Sequence, residues 1–588
     1  MKVLLLHPED TYPPSGHSGP WDLIVDLARA PRATYERWSR EAGCQVISLY
    51  DFAEEIEDLY RLKRLVSMGM GQVVDGMGID WWDVLSLMIV PDLHQILLLQ
   101  RLAKELPRDG ELYSTRPQPL ASAVQELSGG RLIILNGGIR AKFSTLAHYR
   151  DVFSHLDRHQ LAQIVQDKLD RHHYLRRRLA FRHRRSDHPV VLLPSAYVNV
   201  SRTAVSYAAM LPDQQFLLVC GRAAGRWKHL PPNTAMASLD PYFTPSNRAE
   251  VASLQGQWDA LKVRLIFLAD ELRAAESSGV LQQISGRLTW GIAIRDAWIQ
   301  LLRSENIVAC LSADDSNPYT RIPLMLARLR GLPALACHHG ALDWAMAVKM
   351  QHADFYLAKG EMERDYLVRV CQVAPRRIIC GAADPAGTWR PEPPMAEPEK
   401  KWLVFFTEPY QAVGWRADEV YRELLPRLSA LAQRCELQLA FKLHPFDSVK
   451  GHRRLLHRYL PPEQAKQVEI IAGAPSSEVW RRARVAVTVQ STVALECTAR
   501  GVPVFLCAWL RDARTGYLRQ LERFGIGRVL QCADQLEQIP QMLAQVRRVE
   551  PAEVWRPLAP QTLRELIAGT YAPPVAEPPL TATSRAGA

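Results

Sequence analysis

The 588-residue chain has no uninterrupted apolar run of the roughly 18 residues that a membrane-spanning helix needs. Its nearest approach, Val84 to Leu99, is broken by Pro91, Asp92 and His94, so it reads as a buried or interfacial helix. The apolar run in the opening MKVLLLHPED is too short for a signal peptide and reads as a first β-strand, which places the chain in the cytoplasm. Cysteine is scarce: ten residues are scattered without a CxxC pair or tight cluster, which excludes a disulfide framework and a structural zinc site and leaves core thiols. Several catalytic signatures are missing, among them the Walker lysine motif, HExxH and GxSxG. GMGQVVDGMG, Gly69 to Gly78, is glycine-rich but lacks GxGxxG spacing and follows no predicted strand. No Asp-x-Asp occurs either, so nothing implies a catalytic divalent metal or a resident cofactor.

What is present is an ordinary globular composition, 47% hydrophobic and 23% charged, in a chain too long for one compact core. The net charge of +10 is concentrated in RHHYLRRRLAFRHRR, Arg171 to Arg185, with its seven arginines. Such a run suits an anionic membrane surface or an acidic polymer, or is a solvated helix end. It lacks the interleaved aromatics and the fold motif of a nucleic-acid binder, so no nucleic acid is expected as a partner.

Short β-rich runs, each followed by a helical pattern, predict parallel α/β architecture. Strands are expected near Lys2–Leu6, Gln45–Leu49, Arg131–Leu135, Val190–Leu193, Phe216–Cys220, Arg264–Leu268, Ile307–Leu311 and Ala334–Cys337. DPAGTWRPEPPMAEPEKK, Asp384 to Lys401, is rich in proline and charge and reads as a linker. A second α/β series follows in WLVFFT, ELQLAFKL, VEIIA, RVAVTV and VPVFLCAW, and the tail after Tyr571 reads as disordered. The expected fold is therefore two Rossmann-like halves facing a cleft, with the N-terminal one enlarged. Its units are an N-terminal α/β region (1–185) on the acceptor side, an acceptor and catalytic unit (186–383), the linker (384–401), a nucleotide-donor unit (402–570) and the tail (571–588).

In open α/β sheets ligands bind beyond the carboxyl ends of the strands, so polar residues just after strands are the candidates. In the first half these are Asp314, Asp315 and Asn317 after NIVACLS, and His338 and His339 after ALAC. A histidine beside a carboxylate can act as general base toward an acceptor hydroxyl. Gly340 would let the backbone turn tightly or approach a ligand closely. In the second half Glu408 follows WLVFFT, Lys442, His444 and Pro445 end KLHP, and Gln490, Ser491 and Thr492 follow RVAVTV. Ser491 and Thr492 would open a helix, with Glu496 on the same face one turn deeper. DWWD, Asp80 to Asp83, is either aromatic surface for a sugar or core packing, with core favoured.

HG after a strand in the first half, followed by KLHP and QSTxxxExxxxGxP in the second, resembles the two-domain GT-B glycosyltransferases that make bacterial surface and capsular polysaccharides. By these motifs it is most similar to CMP-sugar users (sialyl-, polysialyl- and Kdo transferases) and to CDP-glycerol glycerophosphotransferases. The resemblance spans about Ile307 to Trp509. It implies donor binding by His444, Pro445, Gln490, Ser491, Thr492 and Glu496, with Lys442 and Glu408 beside them. It also implies a catalytic role for His339 or Asp315, supported by His338 and Asp314, although the acidic pair is followed here by serine where sialyltransferases have glycine. The substrates expected are a nucleotide-activated sugar and a glycan or glycolipid acceptor, and the arginine run could bring the protein to the inner membrane face. Three other readings stay open: a non-hydrolysing UDP-sugar 2-epimerase, an inactive glycan- or nucleotide-binding protein and, less favoured, a nucleic-acid-binding role through the arginine run, which predicts steeply salt-dependent binding.

Overall fold

The computed structural model describes the chain except residues 9, 11, 13–18, 107–109, 116–118, 136–187, 222–229, 245–246, 341, 343, 385–400, 412–413, 445–446, 474–475, 512–516, 544–550 and 573–588. The arginine run, nearly all of the expected linker, Pro445 and the tail from 573 lie outside the described residues.

Among the described residues all strands pair in parallel, in three sheets. The first sheet has the order β3-β2-β1-β4-β5, from β1 (Lys2–Leu6), β2 (Leu23–Asp26), β3 (Gln45–Ser48), β4 (Glu111–Ser114) and β5 (Arg131–Ile134). The second comprises β6 (Val190–Ser195), β7 (Gln215–Cys220), β8 (Thr234–Ser238), β9 (Ile307–Ser312), β10 (Ala334–Cys337), β11 (Phe355–Ala358) and β12 (Ile378–Cys380). Its order is β12-β11-β10-β9-β6-β7-β8. The third comprises β13 (Trp402–Phe406), β14 (Gln438–Lys442), β15 (Glu469–Ile471), β16 (Ala483–Thr488), β17 (Val504–Cys507) and β18 (Arg528–Leu530). It runs β15-β14-β13-β16-β17-β18.

In each sheet the first strand sits between the second and the fourth, so the connections reverse direction there and open a crevice at the carboxyl edge. These switch points fall between β1 and β4, β6 and β9, and β13 and β16. The Rossmann-like α/β fold is thus present, and the enlarged N-terminal region carries a parallel sheet of its own.

One expected strand is a correction: Arg264–Leu268 is the end of a helix, Arg248–Leu268. RLIFL has strand-like composition, but Leu265 is buried while Phe267 is 83% exposed, the one-sided burial of a helical face. A second correction concerns the C-terminal segment. The helix Pro560–Ala568, expected in the donor unit, packs Leu563, Leu566 and Ile567 into the core of the second sheet with Leu193 and Leu311. Ala382 and Leu558 secure it there through backbone hydrogen bonds.

The first and second sheets share one continuous core, in which Val3 and Leu5 of β1 belong with Leu192 and Leu217 of the second sheet. DWWD is part of it, so the favoured core reading describes its tryptophans. Trp82 donates from Nε1 to the Val66 carbonyl at 2.6 Å and stacks on Trp258, and Trp81 donates to Asp75 at 3.1 Å. Gly69 belongs to this packing: a Cβ there would lie 2.6 Å from the Trp82 indole nitrogen.

The first sheet also grips the third. Arg416, just past the β13 loop, donates from Nε and Nη2 to the Asp26 carboxylate at 2.8 and 2.7 Å and to the carbonyls of His7, Pro8 and Asp10. Arg29 pairs in parallel with Trp415 beside it. No helix among the described residues is long and apolar enough to cross a membrane.

Candidate functional site

Parallel strands place their carboxyl ends on one edge, which gathers residues that are far apart in sequence. At the switch point of the second sheet, the loop after β6 brings Tyr197, the loop after β9 brings Asp314 to Asn317, and the loop after β10 brings His338 and His339. Tyr197 Oη donates to Asp314 Oδ2 at 2.9 Å and lies 3.5 Å from His339 Nε2. The His339 ring meets Tyr197 edge-on at 5.2 Å and stands 4.8 Å from the His338 ring. Lys359, after β11, pins the turn by donating to the carbonyls of His338 (2.6 Å) and Gly340 (2.7 Å). The Gly340 amide in turn donates to His338 Nδ1 at 3.3 Å.

Electrostatics separates the roles. Burial lowers His339 below its ordinary value, opposed by Asp314 and the Ala313 carbonyl, so the ring is neutral and able to accept a proton at neutral pH. Burial holds His338 well below its ordinary value, with His339 adding to the effect. Burial alone would raise the Asp314 carboxyl, but His339, His338, Lys349 and the Ser316 amide keep it below the usual range.

Asp315 is a correction to the expected base. It is fully buried, its carboxylate is bound by Lys349, and its carbonyl accepts from Arg321 at 3.2 Å, so no acceptor can reach it. Asn317 is equally committed, since its side chain caps the helix Pro318–Leu329 through the Tyr319 amide.

The third sheet gathers the other set. Glu408, after β13, accepts from the Gln490 amide at 2.7 Å and so ties the β13 end to the β16 end. Thr407 accepts from the His444 amide at 2.9 Å and donates to Asp447, fixing the turn of KLHP. Lys442 is buried and donates to the Leu443 carbonyl at 2.7 Å. Burial pushes it down to about 8, against the pull of Glu496 and Asp447. Burial also lowers His444.

Ser491 and Thr492 precede the helix Val493–Ala499, and Ser491 Oγ accepts from the Val493 amide at 3.3 Å. Glu496 is partly exposed on that helix. Burial raises its carboxyl, opposed by Arg202, Arg500 and Lys442.

Arg202 belongs to the helix after β6, on the second sheet's side, and is exposed. Its charge acts on both His339 and Glu496, one residue from each cluster. Sequence reading passes over both Tyr197 and Arg202. Tyr197 follows a predicted strand and obeys the same strand-end rule, whereas only tertiary structure reveals Arg202. Among the described residues no group of three histidine, cysteine or carboxylate side chains is placed to hold a metal ion.

No family model matches the chain, and a comparison with curated proteins finds no match. Similar solved structures include the UDP-GlcNAc 2-epimerase from Neisseria meningitidis bound to UDP-GlcNAc, at 8% identity over 65% of this chain and 97% of that one, with a TM-score of 0.36. The UDP-GlcNAc 2-epimerase from Methanocaldococcus jannaschii is similar at 10% identity over 62% and 97%, TM-score 0.36. The glycosyltransferase SnogD from Streptomyces nogalater is similar at 13% identity over 65% and 99%, TM-score 0.36.

Proposed function

We propose that the protein is a glycosyltransferase that moves a sugar, or a related group, from a CMP- or CDP-linked donor to a surface-polysaccharide acceptor. The observation that carries this reading is the position of Arg202 as common electrostatic neighbour of His339 and Glu496. In this reading a neutral base stands on one wall of a cleft, opposite a cluster of hydroxyl, imidazole and carboxyl groups on the other. In this reading the donor nucleotide lies at the third sheet's switch point. Glu496 accepts from its ribose hydroxyls, and His444, Ser491 and Thr492 donate to its phosphates.

His339 Nε2 takes the acceptor hydroxyl's proton as that oxygen bonds to the transferred carbon. The bond from that carbon to the donor phosphate oxygen breaks, and the electron pair leaves with the phosphate. Arg202 offsets the charge that builds there, an interaction that strengthens in the transition state. Asp314 and Tyr197 orient His339 and stabilise its protonated form. Residues 1–185 belong to the acceptor side.

One observation favours a second reading, the UDP-sugar 2-epimerase. Asp314 is held below the usual carboxylate range while Glu496 is raised above it, and carboxyl groups pushed apart in this way can serve as base and acid. Incubation with CMP-, CDP- and UDP-linked sugars separates the readings. Transfer predicts nucleotide release that depends on an added glycan acceptor. Epimerisation in D2O predicts deuterium at the sugar carbon without an acceptor. Tight nucleotide binding with neither product would leave a binding protein and end both enzyme readings.

A further inference from the structure

The aspartate that ends DWWD has an unexpected partner. Asp83 is fixed in a short helix, Trp81–Ser86, that Asp80 caps and the two buried tryptophans anchor in the core. Its carboxylate accepts from Arg321 Nη2 at 2.7 and 2.6 Å, and both side chains are essentially inaccessible. The carboxylate also meets His352 Nε2 at 2.6 Å and accepts from the Met350 amide at 3.3 Å.

The other terminal nitrogen of Arg321 leads to the site. Nη1 donates to the Asp315 carbonyl, one peptide away from Asp314, while Nη2 also donates to the Met350 carbonyl at 2.9 Å. Lys349, next to Met350, binds the Asp315 carboxylate and donates to Ser316 Oγ at 3.1 Å. The Ser316 amide closes the circuit by donating to Asp314 Oδ1 at 2.9 Å. The loop carrying Asp314 is therefore held from behind by a buried ion network that begins in the N-terminal region.

We infer that Asp83 and Arg321 are positioning residues, which act through the Asp314–Ser316 loop to hold Asp314 and Tyr197 in register with His339. This inference rests on the transfer reading. The physical ground is that a buried ion pair contributes little net stability over an apolar replacement but fixes geometry where its hydrogen bonds end. An offset of about 1 Å in a reacting group can cost a hundredfold in rate. Burial would raise the Asp83 carboxyl, but Arg321 and His352 hold it down at about 2, so the pair stays charged across the working pH range.

The test is the double variant Asp83→Asn with Arg321→Met, which removes one negative and one positive charge together. Because net charge is kept, a change in rate reports loop geometry rather than a changed field. The expected result is a folded protein whose kcat falls about tenfold or more while the donor KM stays within about twofold. The His339 ring resonances of 15N-histidine-labelled protein should also move from their wild-type positions. A folded variant with wild-type kcat and unmoved His339 resonances overturns the inference. The resonances are read without substrate, so a wild-type protein that transfers nothing sinks the transfer reading while His339 still decides the positioning claim. Arg321→Lys, which keeps the charge but loses the planar fork, gives the same comparison where the double variant does not fold.

Discussion

Tyr197 donates its phenolic hydrogen to Asp314 at 2.9 Å, and the same oxygen stands 3.5 Å from His339 Nε2. Asp314 favours the protonated form of His339, so removing its charge lets burial lower the ring further. A base must be unprotonated to act, so activity falls as pH drops through the His339 value. In Asp314→Asn that acid limb of kcat should move to lower pH, and kcat itself should fall as orientation is lost. Rate profiles from about pH 4.5 to 8.5, about two units either side of histidine's usual value, check this. A limb that stays in place or moves upward contradicts it.

The two walls of the cleft should fail in different ways. His339→Ala is expected to lower kcat by about a hundredfold or more, the usual worth of a general base, with nucleotide affinity unchanged. His444→Ala should instead weaken nucleotide binding by about tenfold, roughly one charge-assisted hydrogen bond. Titration calorimetry and steady-state rates on the same samples distinguish the two effects. A parallel loss of binding in His339→Ala would make that histidine structural.

Part of this site is legible in the sequence because it depends on strand ends. β1, β9, β10, β14 and β16 are apolar runs bounded by turn residues, and the polar residue after each lands on the carboxyl edge whatever the helices do. RLIFL fails the same reading because five residues cannot separate a strand from the last turns of a helix. DWWD shows its tryptophans, but Asp83 finds Arg321 across 238 positions, and no local pattern carries that. The inward turn of Asp315 beside Asp314 is likewise invisible, because only the folded chain brings Lys349 onto one carboxylate and Tyr197 onto the other.

Lys442 carries a stability prediction. In an unfolded chain a lysine titrates near 10.4, so its folded value of about 8 means that folding disfavours its charge. Below pH 8 both states are charged and the cost is complete. Between 8 and 10.4 the folded form sheds its proton first, and the cost fades as pH rises. Lys442→Met should therefore stabilise the protein by about 3 kcal/mol at pH 7 and by almost nothing near pH 10.5. Urea unfolding at both pH values tests this, and an equal effect at each would contradict it.

The grip of Arg416 on the first sheet carries another. Arg416→Ala leaves Asp26 buried without its cation and should destabilise by about 3 kcal/mol, as broken buried pairs do. Arg564→Ala, whose partner Asp213 is exposed, should leave the stability nearly unchanged. Comparable losses in the two variants would mean that the first sheet is not held on the third through Arg416.

The central claim is that one cleft binds a nucleotide on the third sheet and performs the chemistry from the second. Titration of CMP, CDP, UDP and GDP into wild type, His339→Ala and Glu496→Gln tests it most directly. The expected result is that one of these nucleotides binds wild type and His339→Ala alike and binds Glu496→Gln about tenfold more weakly, the loss of one charge-assisted hydrogen bond. Binding of none of them, or equal binding to all three proteins, would contradict it.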